Sequence, residues 1–313
     1  GHPVVTFTVG NETSAVEDES GHAQETAELL GTRHYQTMLD ESWAQSEWRE
    51  WLLSADRPCI DGFNQLVVSY AVKSAGNTVA LAGLGADELF GGYWAFDMVR
   101  RDRRIAASMD FVPRTIRQTI IPKLARLAPR ARRKRIVDLF GHGTTYLDFA
   151  LKAQRLRSDE SLRSMGFDPK TLGLSEHWLP TQAYEPFTDL NRDLFHTVSQ
   201  VTTFIYMANQ MLRDADVYSM SCSLELRVPF LGRHVMDLAG SIPGRQHLPP
   251  GPARKHLLRK VAARVLPRQV IERPKRGFNL PLTTWMNGPL HDPCRESVDE
   301  FAASPGVNRS GVE

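Results

Sequence analysis

The sequence predicts an α/β protein: a parallel sheet with flanking helices, followed by a largely helical remainder. Up to Gly83, short β-branched runs alternate with helical periodicities, the order of a parallel sheet with crossover helices. Beyond Phe96 the strand signals fade and amphipathic helical spacing takes over. With 313 residues, 42% of them hydrophobic and 24% charged, the chain is long enough for a large core and globular in composition.

The elements follow in order. Pro3–Val9, "PVVTFTV", is rich in β-branched residues and reads as a buried strand. A helix over Asp18–Gly31 takes Asp18 or Ser20 as its cap and Gly31 as its stop. His34–Leu39 is a second strand. The helix over Ser42–Ala55 has Trp43, Trp48, Trp51 and Leu52 as apolar members. The next, Ile60–Gly76, sets Phe63, Leu66, Val67, Tyr70 and Ala71 at helical spacing. Asn77–Gly83 is a short apolar strand. Later, His196–Met220 carries Val198, Val201, Ile205, Ala208 and Leu212 on one face, and Arg254–Pro267 reads as a basic amphipathic helix. Pro113–Arg135 is expected to be an exposed connection. By element type the chain divides into an α/β part, 1–95, and a mainly helical part, 96–313.

Charge excludes less than composition does. A net charge of +2 is too balanced to argue for nucleic acid. One basic run, "KLARLAPRARRKRI" (Lys123–Ile136), reads as a solvated face or as a contact with nucleic acid or an anionic surface. The cysteines Cys59, Cys222 and Cys294 are far apart and form no CxxC pair, which suits reduced thiols and a cytoplasmic location. No apolar stretch approaches the ~20 residues that span a bilayer. Neither a nucleic-acid nor a membrane partner is expected, while self-association into a homodimer stays open. The opening "GHPVVTFTV" has no Met, so the chain is expected to be a piece of a longer protein.

The stretch "VALAGLGADELFGGYW" (Val79–Trp94) sets Asp87 and Glu88 behind a glycine-rich turn. In an open parallel sheet such a turn stands at the carboxyl end of a strand, where ligands collect. Gly83 and Gly85 allow close backbone approach. Asp87 suits two roles, a cap for the following helix or a hard oxygen ligand for Mg²⁺. Neither a GxxxxGK[ST] loop nor a GxGxxG fingerprint is present.

Three long motifs, in order, carry a resemblance: "GLGADELFGGY" (Gly83–Tyr93), "SMSCSLELRVPFL" (Ser219–Leu231) and "RPKRGFNLP" (Arg273–Pro281). With "TFTVG" and "PCIDGFN" they resemble the C-terminal synthetase domain of the asparagine synthetase family, from Val4 to about Trp285. The resemblance implies an adenine nucleotide hydrolase-like domain of the PP-loop type. It implies ATP and Mg²⁺ as cofactors and adenylation of the aspartate carboxylate. Ammonia from a glutaminase (glutamine amidotransferase) domain then completes the amide in asparagine biosynthesis. By the same match Asp87 is the Mg²⁺–pyrophosphate carboxylate and Lys275 the pyrophosphate-contacting lysine. Val9 and Gly10 lie along the adenine, and Gly83, Leu84 and Gly85 form the nucleotide wall. Glu88, Asp214, Asp216, Glu225 and Arg227 stay open between substrate contact and structural roles. For Glu225 and Arg227 the structural reading is a buried pair holding the helical part against the sheet. Cys222 reads as a small core residue.

The chain departs from the family pattern twice. The SGGxDS pyrophosphate loop is absent from the sequence and would lie just before the first strand. The chain alone is therefore expected to be inactive, with an open sheet edge. Many members also read "SGEG" where this chain reads "AGLG", so Leu84 replaces a glutamate given a base or ammonia-handling role. Leucine cannot take a proton. That keeps open a β-lactam synthetase or peptide cyclase type of adenylating enzyme, and a non-catalytic interaction module. A tRNA-modifying reading would lean on Arg132–Arg135 and lacks any RNA-module signature.

Overall fold

The computed structural model describes residues 3–11, 19–59, 62–129, 136, 139–140, 145–155, 159–168, 193–249, 251, 254–273 and 280–312. In chain order the first elements are β1 (Val5–Asn11), α1 (Ser20–Leu30), β2 (Arg33–Leu39), α2 (Glu41–Ser54), α3 (Gly62–Ser74), β3 (Val79–Leu81) and α4 (Ala86–Phe90). Helices α5 (Trp94–Ala106), α6 (Arg114–Ala125), α7 (Tyr146–Ala153), α8 (Asp159–Ser164) and α9 (Leu194–Val201) follow. A π-helical stretch, Thr202–Met211, leads into α10 (Leu212–Ser221) and β4 (Glu225–Arg227). The chain ends with α11 (Arg233–Ser241), α12 (Gly244–His247), α13 (His256–Ala262), α14 (Arg268–Ile271), α15 (Leu282–Asn287), α16 (His291–Ala302) and α17 (Arg309–Val312).

Contacts divide these elements into two interleaved units. One comprises 1–84, 208–229 and 259–300, the other 85–207, 230–258 and 301–313.

In the first unit β1 and β2 pair in parallel over their whole length, Val5 opposite Arg33 and Asn11 opposite Leu39. The helix between them closes on Gly31, whose φ of +62° is the left-handed stop that its sequence announces. Its start differs from expectation: Ser20 is the first helical residue, and the Glu19 cap makes no side-chain bond. The Trp-rich helix α2 begins one residue before the expected Ser42, because Asp40 Oδ1 accepts from the Trp43 backbone N–H at 2.9 Å, a cap worth about 1 kcal/mol.

Trp43 and Trp51 of α2 each set their rings 5.4 Å from Phe63 of α3. Trp285 of α15 meets Phe63 edge-on at 6.0 Å. Around this aromatic knot lie Val9, Leu39, Leu66, Val67, Ala71 and Tyr218, all buried. Leu52 and Tyr70, expected inside, point to solvent. Leu52 falls at the margin of its helical stripe, whereas Tyr70 lies between Phe63 and Leu66 on its own and its ring keeps a tilted contact with Trp43 at 6.4 Å.

The expected single sheet is two separate parallel pairs among the described residues, β1–β2 and β3–β4. The second pair is short, with Val79 opposite Glu225 and Leu81 opposite Arg227. It is extended by Ala82 N–H donating to Arg227 O at 2.9 Å and Glu225 N–H donating to Thr78 O at 2.8 Å. A cleft of ≈ 510 Å³ touches Thr6, Phe7, Thr8 and Val9 in succession. Thr32 and His34, at β2, and His22, Ala23, Thr26 and Leu30 of α1 line the same cleft, so it lies between the strand pair and the helix that connects its strands.

The second unit is helical. Helices α5, α7 and α9 enclose Phe96, Val99, Phe149, Ala150, Phe195 and Val198. Phe96 and Phe195 stack at 5.5 Å. The single helix expected over His196–Met220 is broken by the π-helical stretch. Its i→i+5 bonding puts more residues in each turn, so each residue rotates the chain by less than in a regular helix, and Met207 takes the buried position that the spacing assigned to Ala208, which is exposed. The expected connection Pro113–Arg135 instead contains α6, with 130–135 outside the described residues. The basic helix expected over Arg254–Pro267 is shorter, His256–Ala262, with no buried residue.

Candidate functional site

The acidic turn belongs to the second unit, where Gly85 opens α4 with φ +94°. A Cβ on Gly85 would stand 2.5 Å from Leu231 Cδ2, so both backbone and space demand glycine. The cap position that Asp87 was a candidate for is held by Gly85, with no side-chain cap bond. Asp87 sits in the first turn instead, and its Oδ2 accepts from Lys255 Nζ at 3.0 Å. Both side chains are mostly enclosed, at 27% exposure for Lys255 and 23% for Asp87. Lys255 holds φ +51°, and its backbone N–H donates to Gly91 O at 3.3 Å. A Cβ on Gly92 would overlap Asp87 Oδ1 and crowd Lys255 Cε. The turn is thus shaped around one carboxylate and its cation.

Beside it, Glu88 is 1% exposed and accepts from Tyr93 Oη at 2.7 Å. Burial pushes the Glu88 carboxyl above its ordinary range, against the pull of the Tyr93 hydroxyl. Burial, reinforced by Glu88, likewise pushes the Tyr93 phenol up. Tyr93 meets Tyr206 edge-on at 6.1 Å. Enclosed and satisfied by Tyr93, Glu88 supports the turn.

The remaining candidates lie in the first unit. Val9 and Gly10 are buried at the carboxyl end of β1. Gly83 and Leu84 follow β3; a Cβ on Gly83 would meet nothing within 4 Å, and Leu84 is half-buried. Glu225 and Arg227 do pair, at 2.7 Å, but at 56% and 61% exposure the pair is not the buried clamp expected. They are alternate residues of β4 and so share one face, and backbone pairing to β3 does the joining. On α10, Asp216 is exposed and Asp214 is 2% exposed. Cys222 packs against the aromatic core, and burial pushes its thiol up, away from nucleophilic character. Lys275 lies outside the described residues. Its neighbour Arg273 fastens the start of that motif to α1, donating to His22 O at 2.9 Å, Thr26 Oγ1 at 3.1 Å and Glu25 Oε2 at 2.6 Å.

For ATP, the fit is partial. Buried backbone at the carboxyl end of a parallel pair, with Gly10 adding no side chain, suits a flat base. For Mg²⁺ the described residues offer a single carboxylate rather than a cage: among them no group of three His, Cys, Asp or Glu is gathered, and Asp87 has one oxygen on Lys255, so most of the ion's ligands would come from ATP phosphates and water.

The asparagine synthase family profile matches residues 1–310. The chain belongs to the asparagine synthase family. It is 28% identical to "Asparagine synthetase [glutamine-hydrolyzing] 1" of Bacillus subtilis over 99% of this chain and 48% of that protein. It is 29% identical to a "Putative asparagine synthetase [glutamine-hydrolyzing]" of Mycobacterium tuberculosis over 90% of this chain and 42% of that one. "Amidase chyE" of Penicillium rubens is 25% identical over 93% of this chain and 46% of its own length. The chain spans about half the length of the curated relatives it matches.

In this asparagine synthase family chain, sequence reasoning singled out Asp87 and missed Lys255. The run "RKHLLRK" reads as one face of a basic helix. Nothing in its spacing tells that Lys255 stands before the helix, in left-handed backbone, against a carboxylate 168 residues away.

Proposed function

We propose that this chain is the synthetase part of an ATP-dependent, amide-forming enzyme of the asparagine synthetase type. In the proposed reaction an aspartate side-chain carboxylate oxygen attacks the α-phosphorus of ATP, and the bond to the β-phosphate oxygen breaks. Pyrophosphate leaves, and the carbonyl carbon now carries AMP as a leaving group. Ammonia then attacks that carbon, AMP departs with the bonding pair, and the nitrogen loses a proton. Negative charge grows on the pyrophosphate, where fixed cations and dipoles lower the barrier most. Lys275 is assigned that contact, and Val9 and Gly10 the base. Mg²⁺ would neutralise phosphate charge beside Asp87.

The observation that carries this reading is the turn around Asp87. Gly92 is stripped of a side chain where one would displace the carboxylate, and Lys255 holds the carboxylate in place. A carboxylate kept so for stability alone would be an expensive way to open a five-residue helix. Leu84 favours a second reading in which the amine is not free ammonia, as in amide-forming relatives that close rings. The chain as given carries no SGGxDS sequence, so it is assigned binding of ATP without turnover.

Isothermal titration with ATP and Mg²⁺ tests the reading, comparing wild type with Asp87→Ala. Millimolar or tighter binding that weakens at least about tenfold in the variant supports it. Equal binding by both proteins removes Asp87 from the site. If neither binds, adding a segment that carries the family's SGGxDS motif at the N-terminus must restore binding, or the nucleotide reading fails.

A further inference from the structure

Lys255 meets the acidic turn at three points. Its ammonium donates to Asp87 Oδ2 at 3.0 Å, and its backbone N–H donates to Gly91 O at 3.3 Å. Its Cε lies 2.5 Å from where a Cβ on Gly92 would stand. The residue before it, Arg254, reaches Asp97 of α5 at 3.7 Å. The segment before α13 is thus laid along the turn, and it delivers one ammonium to one carboxylate oxygen.

Stability gives little reason for this delivery. At 27% and 23% exposure the two side chains are only partly withdrawn from water, where ion pairs gain modestly. Against that gain stands the cost of a left-handed backbone at a residue with a Cβ. The choice of lysine also matters. An arginine fork would grip a carboxylate by two bonds, whereas an ammonium is a point charge on a flexible four-carbon stem. The turn therefore holds a carboxylate neutralised by a cation that is able to leave.

We propose that Lys255 is a positioning residue that occupies the metal's place on Asp87 and shuts out a divalent cation arriving alone. The proposal rests on the reading of Asp87 as the carboxylate of a Mg²⁺ site. A lone dication must displace the ammonium from the oxygen it needs, and meets a like charge beside it. A dication arriving with a polyphosphate brings negative charge to which the released ammonium turns. Metal and polyphosphate then raise each other's affinity reciprocally. A permanent structural pair has a different consequence: removing its lysine would loosen the turn and leave metal affinity unchanged or lower.

The test uses Mn²⁺ alone, a paramagnetic ion that takes oxygen ligands as Mg²⁺ does, titrated into the 313-residue chain. Broadening of the Gly91 and Gly92 amide signals is followed by NMR. Lys255→Met should reach half-broadening at about tenfold less Mn²⁺ than wild type. Adding Asp87→Asn should abolish that gain, and Lys255→Arg should show none. Lys255→Gly, which relieves the left-handed backbone, replaces the methionine variant if circular dichroism shows that one unfolded. Equal Mn²⁺ affinity in wild type and a folded Lys255→Met or Lys255→Gly variant overturns the proposal. So does a gain that survives Asp87→Asn. Failure of the nucleotide reading is distinct. An Asp87-dependent gain with no binding of ATP by any variant supports the role of Lys255 and removes the nucleotide. Asp87-dependent binding of ATP with equal Mn²⁺ affinities does the reverse.

Discussion

Lys255 Nζ and Asp87 Oδ2 stand 3.0 Å apart, and the lysine reaches this position from a left-handed backbone at φ +51°. The pair joins the glycine-rich turn to the segment before α13. Two costs are therefore separable at one position. Lys255→Ala removes the cation and keeps the strained backbone; Lys255→Gly removes the cation and relieves the strain. Urea unfolding should place the glycine variant about 1 kcal/mol above the alanine variant. Equal midpoints and slopes would mean that the backbone stores no strain there.

Gly92→Ala puts a methyl group where Asp87 Oδ1 lies. The carboxylate must swing away from Lys255, and a loss of about 2–3 kcal/mol is expected from overpacking and the broken pair. Gly85→Ala suffers twice, from its φ of +94° and from Leu231. Adding Leu231→Ala should recover only the part that comes from crowding. Thermal unfolding of the two single variants and the double variant measures the division, and full recovery in the double would show the φ of Gly85 to be free of cost.

Glu88→Gln keeps an acceptor for the Tyr93 hydroxyl and removes a buried charge. Burial holds the folded carboxyl above its ordinary value, so the folded state binds more protons than the unfolded state as pH rises from the acid range. Stability contributed by the protonated form is present below about pH 4.5 and lost above it. The glutamine variant should match wild type near pH 4 and gain on it toward pH 7, by about 1 kcal/mol. Guanidinium unfolding at the two pH values reads the difference, and a gap that narrows as pH rises would refute the assignment.

His247 has the opposite sign. It is fully buried, stacks on Phe195 with ring centroids 3.8 Å apart, and donates from Nε2 to Ala239 O at 3.0 Å. Burial depresses its basicity, with His196 adding to the effect and the Ala239 carbonyl and Asp193 opposing it. The unfolded chain therefore takes up the proton first, and stability falls as pH drops below about 6.5. His247→Phe keeps the stack and should flatten this fall between pH 7 and 5. A parallel fall in both proteins would assign it to other groups.

Much of the first unit was legible because its side chains repeat at helical spacing against one core. Phe63, Leu66, Val67 and Ala71 are buried as their spacing required, and Gly31 ends its helix in the conformation that glycine favours. Strand β4 was not legible: three residues before Pro229 give no period to read, and its partner comes from far along the chain. The π-helical stretch defeated the heptad-like face because one extra residue per turn carries Ala208 outward. At the site, motif order pointed to Asp87, while its cation Lys255 depends on tertiary approach and leaves no local trace.

The interleaving of the two units bears on how the protein is made. Phe63 leaves the ribosome long before its edge-on partner Trp285. At roughly 5–20 residues per second, the aromatic surface of α2 and α3 stays uncovered for about ten seconds or more. The helical unit can close earlier on much of its own core, since Phe96, Phe149 and Phe195 all precede α10. Nascent chains stalled before Trp285 should therefore engage a chaperone through α2 and α3, and the demand should end when α15 emerges.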